Sequence, residues 1–208
     1  METALIILAA GKGTRMNSDL PKVLHRVASA PLLEHAMAAG AMLSPRHTVV
    51  VAGHGADQVR AAATLFDEDA QVVEQTEQLG TAHAVAQARP ALDGFDGMAL
   101  VLYGDTPFVQ PETLEKMQEA LTTHDVVVLG FEAADPARYG RLLMQGDTLE
   151  RIVEFKDASP EERAITLCNS GVVACKSELL FDLIDKVGND NASEEYYLTD
   201  IIGLARAE

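Results

Sequence analysis

The sequence predicts an α/β fold, a mostly parallel sheet flanked by helices, with a small β-hairpin lobe after about residue 131. Three observations lead there. Short apolar runs alternate with helix-type segments as far as Gly130. Those runs are continuous in Val, Ile and Leu rather than alternating with polar residues, the mark of strands covered on both faces. After Phe131 the rhythm changes to short strands set apart by turn residues. Strand–helix alternation of the first kind implies parallel strands joined by right-handed crossovers.

In order, the predicted strands are Leu5–Ala9, Thr48–Ala52, Gln71–Glu74, Ala99–Leu102 and Val126–Gly130. Between them lie helical patterns at Leu32–Leu43, Ala56–Phe66, Thr81–Ala88 and Pro111–Thr122. Arg141–Met144 and Leu149–Glu154 flank Gln145-Gly146-Asp147-Thr148 and read as a hairpin. Thr166–Cys175 is a further strand, followed by a helix near Glu178–Lys186. A polar stretch, Gly188–Glu195, leads to a last helix around Tyr197–Ala205. That helix runs to Glu208 with no closing Gly, so the chain is expected to be cut inside a longer protein. No repeat, low-complexity tract or linker divides it, which leaves one domain over 1–208.

Composition narrows the function. Of 208 residues 48% are hydrophobic, enough for a sizeable core, and the net charge is −16. So acidic a surface repels nucleic acid and anionic membranes. With no Trp, 4 Tyr and 6 Phe, a base-stacking platform is also unexpected. No apolar run reaches the roughly 20 residues that span a bilayer. The run Ala4–Ala10 follows an acidic Met1-Glu2-Thr3 rather than Lys or Arg, and so reads as a buried strand of a cytoplasmic protein. Cys168 and Cys175, seven residues apart on one strand, point to opposite faces and read as reduced core thiols.

The strongest local signal is Leu8-Ala9-Ala10-Gly11-Lys12-Gly13-Thr14-Arg15-Met16, followed by Pro21-Lys22. A buried strand ends and the chain turns through two glycines, whose successive N–H groups make an anion-binding concavity. Residues 12–26 set Lys12, Arg15, Lys22 and Arg26 against the single acid Asp19, a local charge inversion that suits a polyphosphate. A P-loop is absent, a dinucleotide fingerprint fails because Met16 stands where its third Gly belongs, and there is no nucleophile elbow. The histidines show no zinc-ligand spacing. In Leu100-Val101-Leu102-Tyr103-Gly104-Asp105-Thr106-Pro107 a second apolar strand ends at a carboxylate. That is the sheet edge where open α/β folds bind ligands, and the carboxylate is either a Mg²⁺ ligand or a turn former.

The Gly-rich loop with Pro21-Lys22 resembles the signature of the sugar-phosphate nucleotidylyltransferases. Gln75-Thr76-Glu77-Gln78-Leu79-Gly80-Thr81-Ala82-His83-Ala84, Tyr139-Gly140-Arg141 and Ile152-Val153-Glu154-Phe155-Lys156-Asp157 narrow it. So do Asn169-Ser170-Gly171 and Glu195-Tyr196-Tyr197-Leu198-Thr199-Asp200-Ile201-Ile202. In this order they are similar to the uridylyltransferase domain of the bifunctional bacterial N-acetylglucosamine-1-phosphate uridylyltransferase/glucosamine-1-phosphate acetyltransferases, from about residue 4 to the end.

The resemblance implies the Rossmann-like nucleotide-diphospho-sugar transferase fold. It also implies a reaction that joins UTP and N-acetylglucosamine 1-phosphate into UDP-N-acetylglucosamine and pyrophosphate with Mg²⁺, a precursor step for cell wall and lipopolysaccharide. It gives the backbone of Leu8, Ala9, Ala10 and Gly11 to the nucleotide, and Arg15 and Lys22 to phosphate charge. Gln75 and Gly80-Thr81 are given to uracil. Tyr103, Gly104 and Asp105 line the centre, with Asp105 on the metal, and Gly140, Glu154 and Asn169 hold the amino-sugar.

The family's second metal ligand, an Asn, and its hexapeptide-repeat acetyltransferase β-helix are expected beyond this chain. Acetyl transfer is therefore not predicted here, and a monomer is expected where full-length members are trimeric. Two other readings compete. One is a related nucleotidylyltransferase, using GTP with the molybdenum cofactor or dTTP with glucose 1-phosphate; Gln75–Ala84 and Tyr196–Ile202 argue against it. The other is a nucleotide-sugar-binding domain without turnover; the presence of Arg15, Lys22 and Asp105 favours an enzyme.

Overall fold

β1 (Thr3–Ala9) is buried at every residue because it has a strand on each side and helices on both faces. The computed structural model describes residues 1–11, 13, 16 and 18–207. The chain then forms a two-stranded ribbon, β2 (Arg26–Val27) and β3 (Ala30–Pro31), and enters α1 (Leu32–Ala41), β4 (His47–Ala52), α2 (Ala56–Phe66) and β5 (Gln71–Glu74). α3 (Thr81–Ala86), β6 (Met98–Tyr103), α4 (Pro111–Ala120) and β7 (Val126–Glu132) follow. β8 (Arg141–Gln145), β9 (Thr148–Val153), α5 (Pro160–Arg163), β10 (Leu167–Lys176), α6 (Ser177–Ile184) and α7 (Asp200–Ala207) complete the described chain.

The large sheet runs β5-β4-β1-β6-β10-β8-β9, with β7 also on β10. Its first four strands are parallel, in the register Ile6↔Val49 and Ile6↔Val101. Alternate residues of these strands feed two cores. Ile6, Leu8, Val49 and Val101 pack with Val85 of α3, Leu180 and Leu183 of α6 and Ile201 of α7. Leu5, Ile7, Val50 and Leu100 pack with Leu33 and Met37 of α1, Val59 of α2 and Leu114 of α4. Each such aliphatic side chain stabilises the fold by about 1.5–3 kcal/mol relative to exposure. Strands covered on both faces show no polar alternation, which is the pattern the sequence carries.

Several boundaries differ from the sequence reading. α1 ends at Ala41 because the chain turns at once, with Ser44 at φ +49°. α3 stops at Ala86 and passes into a short 3-10 turn, Arg89–Leu92, where Pro90 has no N–H to continue the ladder. The last helix begins at Asp200 rather than Tyr197, since Asp200 and Ile201 donate back three residues to Tyr197 and Leu198 in a tight turn. The hairpin β8–β9 extends the main sheet through the pair Cys168↔Arg141 and has no sheet of its own. α5 and the β2–β3 ribbon were not anticipated. α5 is announced by Ser159 and Glu162, which form a reciprocal capping box.

Both cysteines are free and buried, and burial pushes the Cys175 thiol up to about 12. A bulge between Asn169 and Val173 interrupts the simple alternation between them. Among the described residues no helix is long and apolar enough to cross a membrane.

Candidate functional site

Parallel strands bring their carboxyl ends to one edge, and here those ends build a cleft. β1 and β6 are paired through Leu8↔Tyr103, and the Gly104 N–H extends that ladder onto the Leu8 carbonyl at 2.9 Å. Leu8, Ala10 and Gly11 from the first strand and Tyr103 and Asp105 from the second therefore line the same cavity, of about 600 Å³. Ala9 turns its side chain into the opposite core. Arg15, Lys12 and Thr14 lie outside the described residues.

At the far side of this cleft stands Gln75, almost fully buried at the end of β5, its N–H bonded to the Ala52 carbonyl at 2.8 Å. Its side-chain NH₂ is committed to the Gly80 carbonyl and to His83 Nδ1, both at 3.0 Å. His83 Nε2 is in turn paired with Gln87. The carbonyl oxygen Oε1 is the atom of this amide left without a partner among the described residues. Sequence reasoning allowed the amide to donate and accept; the structure leaves it to accept.

Gly80 adopts φ +116°, and a β-carbon there would stand 2.5 Å from the Tyr196 carbonyl oxygen. The reason is a strap: Tyr196 N–H donates to Leu79 O at 2.8 Å, and Ala82 N–H to Tyr196 O at 2.9 Å. Leu198 N–H donates to Thr81 Oγ1 at 2.8 Å. The segment before α7 thus holds the Gly80-Thr81 loop against the cleft.

Beyond Tyr103 a second, more open cleft is lined by Arg138, Tyr139, Glu154, Lys156 and Tyr197. Glu154, just after β9, is partly buried, and desolvation raises its pKa. Its partner Thr199 opposes the shift by donating from Oγ1 to Oε1 at 3.2 Å, while Asp200, Asp157 and Glu195 push it further up. Gly140 lies directly beneath, its β-position 3.4 Å from Glu154 Oε1. The Gly140 carbonyl accepts the Asn169 N–H at 2.9 Å, and Asn169 Oδ1 accepts from Gly171 at 3.0 Å. Gly171, at φ +90°, presses on the Tyr103 ring, which a β-carbon would approach to 2.7 Å. Burial first, and then the charge of Glu154, hold the Tyr103 phenol protonated, with its hydroxyl bonded to Thr81.

The loop 137–140 is held from inside by Arg141. This guanidinium is 1% exposed and donates to the carbonyls of Ala137, Tyr139 and Arg163. It faces no carboxylate hydrogen-bond partner among the described residues, so its work is to order a loop.

The two clefts share Lys22 and Asp105, which form an ion pair. Among the described residues no group of three or more His, Cys, Asp or Glu gathers as a metal cage. A lone, partly exposed carboxylate suits an ion that takes one or two protein oxygens and the rest from phosphate and water, which is the habit of Mg²⁺.

The structure thus brings Leu8, Ala10, Gly11, Lys22, Gln75, Gly80, Thr81, Tyr103 and Asp105 to one cleft and Glu154 to the other. Gly140 and Asn169 stand behind Glu154, and Gly104 behind Leu8. Sequence reasoning missed His83, Arg138, Arg141, Lys156, Ser193, Tyr197 and Thr199. The quoted motifs contained His83, Arg141, Lys156, Tyr197 and Thr199, but nothing in residue type or spacing assigned them a task.

The chain is similar to several known proteins. The chain is 70% identical over all 208 residues to the bifunctional protein GlmU of Ruegeria pomeroyi, of which it covers 46%. It is 66% identical over 207 residues to the bifunctional protein GlmU of Roseobacter denitrificans, again covering 46%. The chain therefore spans about half the length of these curated relatives. Among solved structures, UDP-glucose pyrophosphorylase complexed with UDP-glucose superposes with a TM-score of 0.79 at 18% identity, over 100% of this chain and 88% of that one. The apo form of a UDP-glucose pyrophosphorylase gives 0.75 at 17% identity, with the same coverage. These two show a shared fold. Residues 5–170 match the MobA-like NTP transferase domain, so the strand-end cleft, its Gly-rich approach and the Lys22–Asp105 pair belong to a member of that family.

Proposed function

We propose that this chain transfers the uridylyl group of UTP to N-acetylglucosamine 1-phosphate, releasing pyrophosphate and forming UDP-N-acetylglucosamine. The observation that carries the reading is the meeting of the two clefts at Lys22 and Asp105. One cleft offers an amide oxygen for a base and the other a carboxylate for sugar hydroxyls. The cation between them stands where two anionic phosphates must be brought together. The 70% identity to bifunctional GlmU proteins supports it.

The chemistry asks little covalent help from the protein. A sugar 1-phosphate oxygen is already an anionic nucleophile, so no Ser, Cys or His is needed to activate it. It attacks the α-phosphorus in line, the bond to the pyrophosphate oxygen breaks, and pyrophosphate leaves as an anion. The protein must align the two phosphates and neutralise their repulsion. Lys22 does so at the junction, and Arg15 is the second cation that the family resemblance gives to phosphate charge. Asp105 would hold a Mg²⁺, which would supply further charge neutralisation. Gln75 Oε1 accepts from uracil N3–H; cytosine offers a lone pair at that position, which leaves the buried oxygen opposed and unpaired.

A pyrophosphate-release assay tests this. It uses Mg²⁺, a panel of nucleoside triphosphates and a panel of sugar 1-phosphates, on this chain and on a longer one. Fastest release with UTP and N-acetylglucosamine 1-phosphate is expected. Preference for another pair would overturn the specificity, and tight binding of both substrates without release from either chain would overturn the enzymatic reading.

A further inference from the structure

Thr199 stands immediately before α7, a position where a threonine hydroxyl commonly caps its own helix. Here the hydroxyl donates instead to Oε1 of Glu154, which lines the second cleft, at 3.2 Å. It is 7% exposed and is the one hydrogen-bond donor to that carboxylate among the described residues. The other groups near Glu154 repel it: Asp157, Glu195 and Asp200. Lys156 lines the same cleft, but its ammonium donates to Ser193 Oγ at 2.8 Å. A carboxylate surrounded by acids, with one donor, takes its orientation from that donor.

The same short segment reaches the other cleft. Tyr196 is bonded through its main chain to Leu79 and Ala82, and Leu198 to Thr81 Oγ1. Four consecutive residues therefore fasten the base-side loop at one end and the Glu154 carboxylate at the other.

From this we infer that Thr199 is a positioning residue for the acceptor sugar: its hydroxyl fixes one Glu154 oxygen and leaves the other directed to a sugar hydroxyl. The inference rests on the proposed transfer to a sugar 1-phosphate and adds the residue that sets the geometry of its acceptor side. Thr199 makes no claim on substrate itself; it acts through Glu154.

The test is steady-state kinetics on the whole chain with the sugar 1-phosphate that the wild type uses best. Thr199→Val should raise KM for the sugar phosphate about tenfold, the scale of one lost hydrogen bond to a charged group. KM for UTP should stay within about twofold. Thr199→Ser, which keeps the hydroxyl, should restore the sugar KM. Because Thr199 acts through Glu154, adding Thr199→Val to Glu154→Ala, which removes the acceptor, should cost nothing beyond Glu154→Ala alone. An unchanged sugar KM in Thr199→Val would overturn the inference while leaving the transferase reading intact. So would equal rises in both KM values, or additive losses in the double variant. Binding of both substrates without turnover, in this chain and in the longer one, would overturn both.

Discussion

Lys22 and Asp105, 83 residues apart in sequence, form an ion pair at the place where the two clefts touch. The pair is partly exposed, with side chains 37% and 25% accessible, so it contributes about 0–1 kcal/mol to stability. Its value lies in where it puts a positive charge. Lys22→Ala should therefore leave the melting temperature within a few degrees of wild type and lower kcat/KM for pyrophosphate release about 10²–10³-fold. Unchanged kcat/KM would remove Lys22 from the reacting centre.

Asp105→Asn keeps the shape of the second partner and removes its charge. The Mg²⁺ concentration giving half-maximal rate should rise, and direct titration of Mg²⁺ in the presence of UTP should show weaker binding. A superimposable titration would show that Asp105 is not the ligand.

Arg141 is buried beneath the loop that walls the second cleft, bonded to three carbonyl oxygens. Replacing it by Leu leaves those oxygens without donors, each at about 1–3 kcal/mol. Arg141→Leu should lower the free energy of unfolding by about 3 kcal/mol or more in urea denaturation. Loss of less than about 1 kcal/mol would mean that the loop finds other donors.

Gly171 is held at φ +90° against the Tyr103 ring. Gly171→Ala combines backbone strain of about 1–3 kcal/mol with a displaced aromatic ring. It should be destabilised by that amount and, on the proposed function, should also lose turnover, because Tyr103 lines the strand-end cleft. Wild-type stability and turnover together would contradict this packing.

Glu154 has a raised pKa because it is buried among acids. Its folded value lies above its unfolded one, so the protonated form favours the fold and ionisation opposes it. That stabilisation is present at low pH and disappears as pH rises through the folded value. Glu154→Gln should therefore melt higher than wild type at neutral pH, and the difference should shrink as pH falls into the carboxylate range. A difference independent of pH would refute the assignment.

The parallel half of the sheet was legible because each of its strands is covered on both faces, so Leu5–Ala9 and Ala99–Leu102 are apolar throughout. The lining of the strand-end cleft was legible for a similar reason: Gly11 and Asp105 sit just past the ends of β1 and β6, where short motifs map directly onto space. The sugar side was legible through resemblance alone. Gly140, Glu154 and Asn169 come from three places in the chain, joined by the β8–β9 hairpin and by β10 running beside β8. The contact of Thr199 was invisible because its partner Glu154 is distant in sequence, and that of Arg141 because nothing local says that its guanidinium is buried against carbonyl oxygens. Gln75 lines the cleft, but its commitment to Gly80 and His83 needed coordinates.

The most direct measurement is a crystal structure of the chain with UDP-N-acetylglucosamine and Mg²⁺. The account predicts uracil against Gln75 and Gly80, the diphosphate at Lys22 and Asp105, and the sugar ring beside Glu154. The nucleotide-sugar seated away from the strand-end cleft, or reversed within it, would contradict it.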